Sequence, residues 1–257
     1  MKPNILVNPK SCVNNHKFAF TLAEVLITLG IIGVVAAITI PTLVQNYRRH
    51  VVANKLKTDI SILQQALLRS ISDNGTPDTW EIGDGDGDTF DIYFKPYIKV
   101  LKEGTMGFYV KDTYNQENAG LAWRKTYKLS NGTIVTFRAG AVSAVGFNRR
   151  GRFEILISEK KNTFYIGKDK LPYSQYIYGK DIFAFNFIIN EDDRKFYITS
   201  ISDYPKDYLL LCKKPPEYLK EICLNGSGGR GYTSGIGCSA LLECNGWEFP
   251  KDYPIKF

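Results

Sequence analysis

The sequence predicts an α+β protein: a long N-terminal helix whose first half spans a membrane, packed through its second half on an antiparallel β-sheet domain with a cysteine-containing C-terminal loop region. Three observations carry this expectation. Phe20–Ile40 is an apolar run with a single charge, Glu24. From Thr42 to Ile71 the apolar residues recur on one helical face. After Ile71 the chain turns to short β-rich runs between turns, and four of its five cysteines cluster near the C-terminus.

The apolar run comes first. Its 21 residues, as a helix rising about 1.5 Å per residue, just span a hydrocarbon core about 30 Å thick. Lys2, Lys10 and Lys17 precede it, and the first 19 residues contain no acid. That asymmetry holds the leader in the cytoplasm and sends the C-terminal bulk across. An ordinary secretory signal places its small-residue cleavage site after the apolar core. Here the small residue, Ala19, stands before it. Cleavage there leaves the hydrophobic segment on the mature protein. A lone carboxylate at the centre of a bilayer costs roughly 2.5–3.5 kcal/mol, so Glu24 is a functional candidate.

The basic leader ending Lys17-Phe18-Ala19, then Phe20 and Glu24, resembles the precursors of type IV pilin-like proteins, the family of type IV pilins and of type II secretion pseudopilins. The resemblance implies cleavage between Ala19 and Phe20 by a prepilin peptidase and N-methylation of Phe20; Ala19 stands where the family usually has Gly. Glu24 and Pro41 then occupy the fifth and twenty-second mature positions, where the family carries Glu and commonly Pro. It further implies that Glu24 neutralises the α-amine of Phe20 on a neighbouring subunit, an ion pair that lowers the cost of both charges in lipid. A Pro within a helix removes one backbone bond and bends it.

The helix is expected to continue beyond the bilayer. Val52, Leu56, Ile60, Leu63, Leu67 and Ile71 recur at spacings of four and three, the stripe of a helix packed on its own domain. Asn74-Gly75 followed by Pro77 ends it. Arg48, Arg49 and His50 fall just past the apolar run, positioned to touch lipid headgroups or a neighbouring subunit.

The remaining residues suffice for one core. Thr133–Ala139, Phe153–Ser158, Ile182–Ile189 and Lys195–Ser200 are the predicted strands. The last two flank Asn190–Arg194, a hairpin loop. Phe183, Phe185, Phe187 and Ile189 alternate as one buried face. Tyr178-Gly179-Lys180-Asp181-Ile182-Phe183 resembles the Gly-x-Asp-x-Phe stretch of pseudopilin-like proteins. The organisation expected is a leader, 1–19; a transmembrane and assembly helix, 20–41; and an extracytoplasmic domain, 42–257, that includes the second half of the helix.

Cys12 would leave with the leader, and Cys212, Cys223, Cys238 and Cys244 remain. An even cluster on the oxidising side of a membrane reads as two disulfides, in any of three connectivities. Zinc is the alternative, opposed by the lack of a Cys-x-x-Cys pair and of nearby His. Bridges here would resemble the C-terminal disulfide-bound region of type IV pilins and tie down the glycine-rich stretch Gly226–Gly237. Asp84, Asp86 and Asp88 alternate with glycine. Such carboxylates can wrap calcium, but a solvated acidic turn is the preferred reading and no cofactor is expected.

No enzyme is expected. The only two His residues are His16, in the leader, and His50, beside the membrane, which leaves no His for a nucleophile–base site in the domain. Gly226–Gly237 lacks the Gly-Lys-Ser/Thr ending of a phosphate-binding loop. The formal charge is +7; loss of Lys2, Lys10 and Lys17 lowers it by three to +4. Arg149, Arg150 and Arg152, beside Phe147 and Phe153, form the densest basic–aromatic patch, read as a solvated turn; DNA is not an expected partner. The expected partners are the prepilin peptidase, other pilin or pseudopilin subunits, an inner-membrane assembly platform and the lipid bilayer. The expectation is a single-pass inner-membrane subunit with its C-terminal domain outside the cytoplasm, extractable into a filament. Its work would be in a type II secretion pseudopilus that helps export proteins. The alternatives are a type IV pilus subunit for adhesion, motility or DNA uptake, and a signal-anchored binding domain that does not polymerise.

Overall fold

The computed structural model describes residues 21–80, 88–111, 122–139, 149–157, 159, 174–189, 195–200, 210–225 and 234–257. The chain divides into two compact units, Met1–Gln45 and Asn46–Phe257. In the first, the described residues belong to the opening of helix α1 (Leu22–Asn74), which is long and apolar enough to cross a membrane. Among the described residues, nothing buries its apolar window. Its internal hydroxyls are satisfied locally: Thr28 Oγ1 donates to Val25 O at 3.0 Å and Thr39 Oγ1 to Val35 O at 2.9 Å. In hydrocarbon, polar groups need such partners within the segment. Pro41 lies inside α1.

In the second unit, α1 presents the expected stripe. Val52, Leu56, Leu63 and Leu67 are buried, and Ile60 and Ile71 pack at its margin. The helix ends at Gly75, whose φ of +77° and N–H to Ile71 O (3.1 Å) make the left-handed stop that glycine adopts without strain. Beyond it come α2 (Asp88–Tyr93) and a 3-10 turn, Lys95–Tyr97.

Among the described residues seven strands follow: β1 (Val100–Lys111), β2 (Ala122–Leu129), β3 (Ile134–Ala139), β4 (Arg149–Leu156), β5 (Ser174–Ile177), β6 (Ile182–Ile189) and β7 (Phe196–Thr199). They form one sheet in the order β5-β1-β2-β3-β4-β6-β7. All neighbours are antiparallel except β5, which runs parallel to β1. That order sets β5 five strand spacings from β6, about 24 Å in a flat sheet. The chain from Ile177 to Ile182 reaches at most about 17 Å. The sheet therefore curls, and Tyr176 of β5 closes over Ile134, Leu156 and Ile182 in a small second core.

The main core lies on the opposite face, where Val135, Phe137, Phe153, Ile155, Phe183, Phe185 and Phe187 meet α1 and the aromatic residues of α2. Phe94 touches Phe137, Phe153 and Phe187 at ring-centroid distances of 5.9, 5.1 and 5.8 Å. Strand β6 occupies the predicted residues. Its even-numbered residues Ile182, Ala184 and Ile188 are buried as well, so it is covered on both faces rather than one; the Ile189 side chain lies outside the described residues.

Several expectations need correction. Strand β4 begins at Arg149, not Phe153, and ends at Leu156. Its Arg149-Arg150-Gly151-Arg152 opening reads as a turn, but a Cβ on Gly151 would lie 2.3 Å from Phe137 Cζ. The glycine makes room for a ring, which is why it sits in a strand. Strand β7 is Phe196–Thr199, shorter than predicted, and pairs with β6 as expected; the hairpin loop 190–194 is outside the described residues. Among the described residues the C-terminal region is largely helical where a loop was expected: α3 (Leu210–Lys213), α4 (Pro216–Asn225) and α5 (Ser234–Cys244); residues 226–233 of the glycine-rich stretch lie outside the described residues. Gly235 and Gly237 lie in α5 as contact points. A Cβ on Gly235 would meet the Tyr178 ring at 2.3 Å, and one on Gly237 would meet Ile222 Cγ2 at 2.5 Å.

Candidate functional site

The chemistry at the start of α1 is local. Thr21 and Glu24 stand three residues apart around the first turn, where four backbone N–H groups lack helical partners. Glu24 N donates to Thr21 Oγ1 at 3.2 Å. Thr21 N and Thr21 Oγ1 both donate to Glu24 Oε2 at 2.8 Å. This reciprocal pair is a capping box, and an acidic group here also faces the positive end of the helix dipole. The sequence reading assigned Glu24 a charge-pairing role and missed Thr21; the Thr-x-x-Glu spacing was the available signal. Only Oε2 is engaged in the cap, and a carboxylate offers two oxygens. Ala19 and Phe20 lie outside the described residues.

The second unit holds α1 against the sheet with polar contacts the apolar stripe did not foretell. Lys55 Nζ donates to Ile157 O at 3.4 Å. Gln64 Nε2 donates to Phe196 O (3.1 Å) and Gln64 Oε1 accepts from Ile198 N (3.2 Å). That amide pairs with edge strand β7 as a neighbouring strand would and so covers a free edge. Asp59 is fully buried. Its Oδ1 accepts from Asn131 Nδ2 and from Thr133 Oγ1 at 3.0 Å, while Oδ2 is buried with no partner among the described residues. Burial raises its pKa from 3.8 to about 6, against the lowering effect of those two bonds and of Lys55.

Arg48, Arg49 and His50 do not act as one group. Arg48 and His50 are exposed, whereas Arg49 turns toward the C-terminal strap, residues 247–257. Its Nη1 donates to Pro250 O and Lys251 O, both at 3.5 Å, and its guanidinium lies 5.9 Å from the Tyr253 ring centroid and 6.0 Å from that of Phe257. The strap is pinned further by Tyr253 Oη, which donates to Gly179 O at 2.8 Å, and by a Lys220–Asp252 ion pair.

The Gly-x-Asp-x-Phe stretch forms the turn between β5 and β6. Gly179 has φ +77°, and Asp181 Oδ2 accepts from Ile177 N at 3.0 Å. The cysteines pair as Cys212–Cys244 and Cys223–Cys238, the second bridge nested within the first. Cys212 is exposed, whereas Cys223 and Cys238 are fully buried.

Asp84 and Asp86 lie outside the described residues; Asp88 is exposed in the first turn of α2, where an acidic residue favours the helix start. Among the described residues, no group of three or more His, Cys, Asp or Glu is placed to hold a metal ion. In the basic–aromatic patch, Phe147 and the side chains of Arg149 and Arg150 lie outside the described residues. Phe153 is fully buried beneath Phe94 and Phe137, so it is not free to stack on a base.

Residues 14–40 match the prokaryotic N-terminal methylation motif. No curated protein and no solved structure gives a significant match. The motif is that of type IV pilin-like, prepilin-type subunits, a structural and not an enzymatic class. It implies processing by a prepilin peptidase and assembly with other pilin subunits, and the apolar opening of α1 fits a single-pass membrane anchor. Over residues 42–257, most of its length, the chain matches the model of a family of unknown function (DUF6613), and it belongs to that family.

Proposed function

We propose that the chain is the precursor of a pilin-like subunit of a type II secretion pseudopilus, cut between Ala19 and Phe20, methylated on Phe20 and held in the inner membrane by residues 20–41. Residues 42–257 then form the extracytoplasmic part. The observation that carries this reading is the start of α1: an apolar segment left uncovered by the described residues, opening on one carboxylate in its first turn. Such a surface calls for lipid in the anchored state and for neighbouring helices in the filament. Glu24 closes its own helix with Oε2 and offers Oε1 to the Phe20 ammonium of the next subunit. The two disulfides support an oxidising, extracytoplasmic location for the domain.

Co-expression with a prepilin peptidase, followed by mass analysis of the mature N-terminus, tests the proposal. A start at methylated Phe20 is expected. An uncut chain, or one cut after the apolar run, overturns the reading. A pseudopilus role then requires that deletion stop export of folded proteins. The second reading, a type IV pilus subunit, is favoured by the disulfide-bonded C-terminal region; loss of surface pili with intact export would select it.

A further inference from the structure

The C-terminal strap brings a second set of charges to the turn of α1 that follows the apolar run. Arg48 and Arg49 come eight and nine residues after Ile40, within the same helix. Arg49 is held by Pro250 O and Lys251 O and lies over Tyr253 and Phe257. Beside it in sequence or along the strap, Arg48, Lys251 and Lys256 are exposed, and Phe257 and its neighbour Phe249 are only half-buried. The strap's acids are Glu248 and Asp252, and Asp252 is neutralised by Lys220. The local balance is therefore positive, with aromatic rings interleaved. Long cations lay their apolar stems along such half-buried rings while their charged heads reach headgroup phosphates. None of this is visible in the linear sequence, where Arg49 and Pro250 are 201 residues apart.

We propose that this collar, Arg48 with Lys251, Lys256 and the flanking rings, docks on anionic phospholipid headgroups while the subunit is anchored. The occupant is lipid because the collar is continuous in sequence with a segment built to cross a bilayer. A basic cluster close to a membrane span is drawn to anionic lipid within a Debye length of the surface. The strap is bound to the Arg49 turn of α1, so headgroup contacts made by the strap are transmitted to that turn. The proposal rests on the membrane-anchored reading.

The test uses the full chain in nanodiscs of phosphatidylcholine with or without phosphatidylglycerol. Amide hydrogen exchange is read at residues 249–257, with the β6 amides as a fold reference. Phosphatidylglycerol is expected to slow exchange in the strap by roughly fivefold, an effect that added salt removes. The paired variant Lys251→Gln, Lys256→Gln should lose the lipid dependence while β6 exchange stays unchanged. Equal strap exchange in the two lipids overturns the collar, as does a lipid effect that survives in the variant. Failure of the chain to enter nanodiscs at all would instead overturn the anchor reading on which the collar rests.

Discussion

Replacing Asp59 by Asn tests the energetics of the contact between α1 and the sheet. Asp59 is buried, accepts two hydrogen bonds on Oδ1 and leaves Oδ2 without a partner among the described residues. Its pKa rises from 3.8 to about 6 because desolvation outweighs those bonds. The folded state therefore holds a proton that the unfolded chain releases across this window. Stability falls as pH rises from 3.8 to about 6 and is flat above it. At about 1.36 kcal/mol per pH unit, the ionised form costs about 3 kcal/mol relative to the protonated one. Asn keeps the Oδ1 acceptor and carries no charge, so the variant is free of this dependence.

The measurement is urea unfolding of the detergent-solubilised chain, disulfides intact, for wild type and Asp59→Asn. The buried amide N–H₂ of Asn itself costs about 1–3 kcal/mol if unpaired, which makes the sign at any single pH a poor test. That cost cancels in the comparison between pH values. The stability of the variant relative to wild type should rise by about 2–3 kcal/mol from about pH 4 to about pH 7. A difference that stays constant over this range refutes the argument, because Asp59 would then ionise as it does in the unfolded chain.

Glu24→Gln separates capping from charge, since Gln also serves in a capping box. The variant is expected to keep its helix start but fail to enter filaments, and wild-type assembly would remove the charge-pairing role. Gly179→Ala places a Cβ at 2.6 Å from Cys238 Sγ, Ile255 Cδ1 and Tyr253 Oη at a φ of +77°. A loss of about 2–4 kcal/mol is expected, read as a lower midpoint in thermal unfolding; an unchanged midpoint contradicts the packing described. Graded reduction followed by alkylation and peptide mapping should label Cys212 and Cys244 before Cys223 and Cys238, because the first pair reaches solvent at Cys212 and the second is fully buried. The reverse order would contradict the burial of the inner bridge.

The parts of this fold that were legible in the sequence are those whose cause is local. The α1 stripe follows from spacings of three and four, and β6 from a run of aromatic and branched residues. Strand β1 escaped notice because Lys102, Glu103, Gly104 and Gly107 lower its β-propensity, and its pairing with β2 and β5 supplies what the side chains do not. Helix α5 escaped for a related reason. Its glycines signal loop when read one residue at a time, yet they let the helix approach Tyr178 and Ile222. Asp59 and Gln64 were unreadable in the same way, since their partners come from β7 and the β2–β3 turn.

The same division runs through the functional residues. Thr21 and Glu24 are three positions apart, so the chemistry of the helix start is written in a four-residue string. Arg49 takes its partners from the other end of the chain, and no window of sequence contains both. Arg48 and His50 alone read as a short basic tail to a membrane helix, whereas the fold adds Lys251 and the rings of Tyr253 and Phe257 to that turn. A charge-reversing change at Lys251, far from the helix in sequence, should therefore weaken the proposed lipid contact, read by strap exchange in anionic nanodiscs, more than one at Lys213, which is also exposed but lies on α3. The sequence locates the assembly segment, and the fold of the second unit brings Lys251 to the Arg49 turn.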